Sequence, residues 1–171
     1  IAENPPTKGN GWEPYPTSLR IVNWVKWLSA GNPPVAGMAQ SLAVQADWLR
    51  KKLERHLLGN HLFVNGKALV FAGLYFDGAE GASWLTKGLN IIAHQLPEQV
   101  LADGGNFERS PMYHAIFLED VLDLINAAAY WPRQVPAQQV AQWREVAGRM
   151  LKWLMGMSHP DGEIALFNDA A

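Results

Sequence analysis

His61-Leu62-Phe63-Val64-Asn65-Gly66-Lys67-Ala68-Leu69-Val70-Phe71-Ala72-Gly73-Leu74-Tyr75-Phe76 is the stretch whose reading decides the fold. It is long enough for about four helical turns, carries one charge, Lys67, and puts apolar residues on every side of a helix. A helix that is apolar all round is enclosed all round, so other elements must surround it. Gly59 ends whatever precedes it, and Asn60 reads locally as its N-cap.

On the N-terminal side a second helix is predicted from about Gly37 to Leu58. Leu42, Trp48, Leu49 and Leu53 share one side, opposite Lys51, Lys52, Glu54 and Arg55, so it is one-sided. Gly31-Asn32-Pro33-Pro34 separates it from a first helix. That one begins near Pro16-Thr17-Ser18 and carries Leu19, Val22, Val25 (or Trp24) and Leu28 at helical spacing. Ile1 to Tyr15, rich in Pro, Gly and Asn, reads as an ordered arm. On the C-terminal side Asp77-Gly78-Ala79-Glu80-Gly81 is a turn. A fourth helix follows from about Ala82 to Ala102, with Trp84, Leu85, Leu89, Ile91 and Ile92, and Pro97 should kink or restart it.

A fifth helix is predicted from Pro111 to about Tyr130. Ala115, Ile116, Phe117, Leu118, Val121, Leu122, Leu124 and Ile125 leave it little polar surface. After Trp131-Pro132 a sixth, from about Ala137 to Met157, sets Val140, Trp143, Val146, Met150 and Leu154 against Arg144, Glu145, Arg149 and Lys152. Helices three and five are thus expected inside, and two, four and six half-exposed. Short connections make neighbours antiparallel, and no segment sustains the alternation of a strand. The fold class is all-α: an incomplete (α/α) toroid of antiparallel helical hairpins, about six main helices, in a single domain over 1–171. A weak internal repeat supports it. Asp103-Gly104 and Asp161-Gly162 each follow an outer helix and lead into a short extended stretch, Asn106-Phe107 and Ile164 to Phe167.

Antiparallel connection also implies that one end is chemically equipped. Tyr15, Arg20, Asn60, His61, Glu108, Arg109, Tyr113, His114 and His159 are expected there, with plain turns at the other end. The joining loop is Asp103-Gly104-Gly105-Asn106-Phe107-Glu108-Arg109-Ser110-Pro111-Met112-Tyr113-His114. In it Ser110 reads as an N-cap with Pro111 at the first helical position. Tyr113 then lies in the first turn, where free N–H groups and the helix dipole favour an anion.

A net charge of −2 without basic runs argues against nucleic acid, and no apolar stretch is long enough for a bilayer. Zero cysteines exclude disulfides and thiolate metal sites. No His/carboxylate pair has zinc-site spacing, and no nucleotide loop or serine elbow is present; no cofactor is expected. No signal peptide is legible, and a start at Ile1 rather than Met points to a removed upstream segment. Taken singly, Asn60 reads as a cap and His61 as a packing residue. Glu108-Arg109 is either a surface ion pair or an orienting pair, and His114 a satisfied core group.

The loop Asp103 to His114 closely resembles the Asp-Gly…Glu-Arg-Ser-Pro-x-Tyr-His signature of the heparinase II/III-like polysaccharide lyases. Tyr15 to Trp24, Gly59 to Gly73 and Asp161 to Asp169 are similar to the helical domain of the same family, in the same order. The resemblance implies an (α/α) toroid followed by a β-sandwich-type domain, and cleavage of uronic-acid polysaccharides of heparan sulfate, heparin or alginate type by β-elimination. By that resemblance Asn60 contacts the C5 carboxylate and Tyr113 donates a proton to the leaving O4, in some members also serving as base. His61, Glu108, Arg109 and His114 are implied as substrate-binding or supporting groups. It further implies an acidic polysaccharide as partner, a periplasmic or secreted setting, and a catalytic histidine from a C-terminal β domain absent from this sequence. The isolated chain is therefore expected to have little activity and to self-associate through exposed apolar surface. Two other readings compete. One is a helical-hairpin scaffold for a protein partner. The other is a toroidal glycoside hydrolase using two of Asp103, Glu108, Asp161 and Glu163.

Overall fold

The structure, a computed structural model, describes residues 5–57 and 59–170; Ile1–Asn4 of the arm, Leu58 at the expected end of the second helix, and Ala171 lie outside the described residues. The helices are α1 (Pro14–Ser29), α2 (Met38–Leu49), α3 (His61–Tyr75), α4 (Gly78–Gln99), α5 (Pro111–Tyr130) and α6 (Ala137–Gly156). Among the described residues there is no strand, only two isolated bridges, Val100 with Asn106 and Ser158 with Ile164. The chain divides into two compact units, one up to Ile92 and one from Ala93 onward; α4 begins in the first and ends in the second.

In the first unit α3 is enclosed as its composition requires. Every residue from Phe63 to Leu74 is buried, Asn65 and Lys67 included. α1 packs on α3, and α2 packs on both. α4 reaches α3 through glycine. A methyl group at Gly66 would stand 2.7 Å from the Ile91 side chain, and one at Gly88 would stand 2.7 Å from the Gly66 carbonyl and the Val70 amide. A methyl at Gly73 would strike the backbone of Leu85. Glycines on both helices thus let the backbones nearly touch.

Three sequence expectations change here. α1 starts at Pro14 and buries Ser18, Ile21, Val22 and Val25, leaving Leu19 43% exposed. Ser18 is accommodated inside because its hydroxyl donates to the Pro14 carbonyl at 2.8 Å and accepts from Asn65 at 3.1 Å. α2 ends at Leu49 rather than Leu58. The Glu54 N–H, which a continuing helix would use internally, is taken by Asn65 Oδ1 at 2.9 Å. Pro97 does not restart a helix: α4 runs through it and ends two residues later at Gln99.

In the second unit α5 packs on α6. α5 is buried on one side only, through His114, Phe117, Leu118, Val121, Leu124 and Ala127. Ile116 and Leu122 are 36% and 37% exposed, so the expectation of burial all round fails for this helix. The repeat, by contrast, is present in atomic detail. Gly104 N–H donates to Leu101 O and Leu101 N–H to Gly105 O; Gly162 N–H donates to His159 O and His159 N–H to Glu163 O. Both glycines have φ near 92°, and the aspartate before each accepts the N–H two residues on, Asp103 from Gly105 and Asp161 from Glu163. Each is a three-residue hairpin loop closed by a left-handed glycine.

Gly73→Ala is expected to lose about 1–3 kcal/mol from overpacking, even after a helix-propensity gain of about 1 kcal/mol. Gly148→Ala in α6, where an added methyl meets nothing within 4 Å, should gain about 0.5–1 kcal/mol. Denaturant midpoints of the two variants against the parent check both signs.

Candidate functional site

At the start of α3, Asn60 occupies the cap position but does not serve as a side-chain cap. Its backbone is helical (φ −75°, ψ −8°), and its side chain makes no capping hydrogen bond, whereas side-chain caps usually sit in extended backbone. Its amide is therefore not committed to the helix end, although the residue is 7% exposed. His61 is held on two sides. The Tyr15 ring lies 4.8 Å away, tilted by 46°, and Nδ1 is 3.2 Å from Glu54 Oε1. Tyr15 and His61, the starts of α1 and α3, thus meet as antiparallel connection requires.

Glu54 is the residue that sequence reasoning missed. Its place among Lys51, Lys52 and Arg55 suggested a solvated helix face, yet it is only 7% exposed. Oε1 meets His61, and Oε2 accepts from Asn65 Nδ2 at 3.0 Å. Asn65 in turn accepts the Glu54 N–H and donates to Ser18. A polar amide inside an otherwise apolar helix was the available signal, since a buried amide must find partners. Arg20 does not join this group. Nε donates to Gln45 Oε1 at 2.6 Å and Nη1 to the Gly11 carbonyl at 2.8 Å, while burial pushes its pKa down. It ties the arm to α1 and α2. A cavity of about 710 Å³ opens beside it, lined by Trp12, Trp24, Gln40, Ser41, Val44 and Gln45 among others. Neither Asn60 nor His61 lines it.

In the second unit the helix start reads as expected. Ser110 caps α5 by accepting the Tyr113 N–H, with Pro111 in the first turn. Asn106 Oδ1 accepts the Glu108 N–H, and Arg109 is exposed in a left-handed conformation (φ 59°), its carbonyl accepting from Asn168 Nδ2 at 3.1 Å. The phenol of Tyr113 donates to Asp169 Oδ2 at 3.4 Å. The Asp169 charge, then desolvation, the hydrogen bond to Asp169 and the Glu108 charge hold the phenol above its usual pKa of 10.0. Tyr113 carries its proton at neutral pH, as phenols ordinarily do, and the contact with Asp169 makes it a weaker acid while that contact lasts. His159 is exposed, its backbone held in the second hairpin.

His114 is placed differently from a ligand-contacting group. It is fully buried. Nδ1 accepts the Asn106 N–H at 3.2 Å, Nε2 is 3.0 Å from the Met150 carbonyl, and the ring stacks on Trp153 at 4.4 Å. A carbonyl only accepts, so Nε2 carries the hydrogen. With both nitrogens engaged internally, the expectation of substrate contact gives way to support of the loop. Desolvation pushes its pKa below 6.5, against smaller raising effects from the Met150 bond and Asp103. Gly105 belongs to the same packing, since a methyl there would stand 2.7 Å from the Trp153 indole nitrogen. Asp103 and Asp161 each commit an oxygen to a turn N–H, which weakens the case for a hydrolytic carboxylate pair. Among the described residues no three His, Asp or Glu side chains come together as a metal site, and no helix is long and apolar enough to cross a membrane.

Two pH responses follow. A histidine with a lowered folded pKa contributes stability that is in place above about 6.5 and is lost as pH falls toward the lowered value. The Asn106 amide should thus lose hydrogen-exchange protection on acidification, and His114→Phe should remove that pH dependence. At the alkaline side the Tyr113–Asp169 bond needs the phenol proton, so its contribution is in place below about pH 10 and lost as pH rises past the raised value. Asp169→Asn should move one tyrosine to a lower titration point in an ultraviolet phenolate titration.

Residues 35–171 match the family described as heparinase II/III N-terminus. A heparin-sulfate lyase of Bacteroides stercoris is 28% identical over 113 residues, 66% of this chain and 17% of that protein. A heparin-sulfate lyase of Pedobacter heparinus is 27% identical over 129 residues, 74% of this chain and 19% of that protein. The chain thus spans less than a fifth of these curated relatives. Among solved structures, a heparinase III superposes with a TM-score of 0.75 at 24% identity, covering 94% of this chain and 26% of the other. A heparan sulfate lyase from Pedobacter heparinus gives 0.69 at 23% identity, covering 96% and 27%. Likeness at that identity carries the fold, which is the all-α, (α/α)-toroid class expected from the alternation of helices. Family membership rests on the match over most of the chain: it belongs to the heparinase II/III N-terminus family.

Proposed function

We propose that this chain is the helical catalytic portion of a polysaccharide lyase acting on uronic-acid-containing polysaccharide of heparan sulfate type. The observation that carries this reading is Tyr113: a phenol in the first turn of a helix capped by Ser110, hydrogen-bonded to Asp169, in a chain whose curated relatives are heparin-sulfate lyases. β-Elimination removes the C5 proton, forms a C4–C5 double bond, and expels O4, which takes up a proton. The slow point is the acidity of the C5 proton, which rises when the neighbouring carboxylate is hydrogen-bonded or neutralised.

In this reading Asn60 binds the carboxylate at the start of α3, aided by unsatisfied helix N–H groups, and His61 beside it binds a neighbouring hydroxyl of the sugar. Tyr113 supplies the proton to O4, and general acid catalysis of this kind is worth about 10²–10⁴-fold. Glu108 and Arg109 flank it as substrate-binding groups. The base comes from a histidine of a further, β-rich domain. The exposed apolar side chains of the second unit, Leu151, Met155, Leu166 and Phe167, support the expected self-association or cover by such a domain. The hydrolase and scaffold readings have no comparable support.

The test is absorbance of unsaturated uronate after adding heparan sulfate, on this chain and on any longer product of its gene. The longer product should eliminate, and Tyr113→Phe should slow it by about 10²-fold or more. The chain alone should bind heparan sulfate oligosaccharide with perturbed Asn60, His61 and Tyr113 resonances but turn over little. Full-rate elimination by the chain alone would overturn the assignment of the base. Absence of binding would overturn the lyase reading.

A further inference from the structure

The carboxylate behind His61 is engaged through both of its oxygens. Glu54 is 7% exposed, and the two oxygens have different partners, Nδ1 of His61 and Nδ2 of Asn65. The orientation of Asn65 is fixed independently. Its Oδ1 must accept the Glu54 N–H, so its NH₂ faces Glu54 Oε2 and the Ser18 hydroxyl. Glu54 Oε2 is therefore an acceptor, and Oε1 of the carboxylate accepts as well, which places the imidazole hydrogen on Nδ1. Tyr15 lies against the ring. The side chain stays 36% accessible, and Nε2 is the nitrogen left for a ligand. A surface histidine held only by its own helix would need no such arrangement; this one is backed by a network reaching through α3 to α1.

We propose that Glu54 is the positioning residue of the site: backed by Asn65, it locks His61 with Nδ1 bearing the hydrogen and Nε2 presented as an acceptor to a hydroxyl of the acidic sugar. The choice of ligand rests on the lyase reading above, whereas the state of the ring does not. The role resembles that of the carboxylates that set the tautomer of functional imidazoles elsewhere.

Glu54→Gln separates this from a structural role because shape is kept while the hydrogen pattern reverses. Asn65 still offers NH₂, so the carbonyl of the introduced amide must turn to it and the introduced NH₂ must face His61. Nδ1 then becomes an acceptor, and the hydrogen moves to Nε2. Ring ¹⁵N spectra of the whole chain, above the titration of the imidazoles, read this directly. The parent should show His61 with hydrogen on Nδ1 and His114 with hydrogen on Nε2. In E54Q His61 should invert while His114 does not. A parent His61 in the Nε2–H form, or a free mixture, overturns the proposal even if E54Q does not fold.

The second arm is calorimetric titration with a heparan sulfate hexasaccharide. E54Q and His61→Ala should each weaken binding about five-fold or more, and the double variant should be no weaker than either, as for residues acting through one group. Parent-like binding by an E54Q chain with inverted His61 overturns the positioning role. Failure of the parent to bind overturns the lyase reading and the ligand assigned here, and leaves the ring geometry to the spectra.

Discussion

The enclosure of α3 is the constraint on which the first unit depends. A helix without a solvent face has to be met on each side, and each neighbour solves the contact differently. α4 uses glycines, so that backbone lies against backbone. α1 uses branched aliphatic side chains and one serine. The connection after α2 inserts a carboxylate, Glu54, against Asn65. Burying that carboxylate and amide is unfavourable unless each polar atom has a partner, and here each named atom has one. The network that closes the core is therefore the same one that holds His61.

The second unit builds its helix start by another route. Two hairpins of the same hydrogen-bonding pattern precede chemically different ends. The first leads to Ser110, Pro111 and Tyr113, and the second to Asn168 and Asp169, which return to Arg109 and Tyr113. The two copies of the turn thus lead to both the phenol and the carboxylate that accepts its hydrogen bond. Gly104 needs both its positive φ and its missing side chain, since a methyl there would stand 2.6 Å from the Arg149 carbonyl. Its counterpart Gly162 has the same φ but open space around it. The first copy is therefore the more constrained. His114 reinforces it by receiving the Asn106 amide.

Much of the helical skeleton was legible because long periodic segments bounded by Gly, Pro and cap residues leave little choice of local structure. The Ser110 cap, the Pro111 start and the repeated Asp-Gly turns are decided within a few residues, and all lie where the sequence placed them. Misreadings occurred where a tertiary partner overrode local preference. The pattern of α2 runs on past Leu49, but Asn65, on the next helix, captures an N–H that a continuing helix would have used. Glu54 looked like one of a charged row because periodicity reports only which side of an uninterrupted helix a residue faces. Once the helix stops, that argument no longer applies. Asn60 looked like a cap because its residue type suits one, whereas backbone dihedrals decide whether its side chain can reach.

By itself, then, the sequence determined the all-α class, the order of the helices, the Ser110 cap, the two Asp-Gly turns, and, through the signature from Asp103 to His114, the family expectation. The class, the helix order and those turns follow from short-range rules of periodicity and backbone conformation that need no knowledge of neighbours, whereas the family expectation comes from resemblance alone. The tertiary structure alone decided where α2 stops, that Glu54 is buried, that His61 faces a carboxylate, that His114 meets the Asn106 amide and the Met150 carbonyl, and that Asp169 meets Tyr113. Each of those turns on hydrogen bonds between groups on different elements, seven to 56 residues apart, whose partners are specified only when packing brings them within reach.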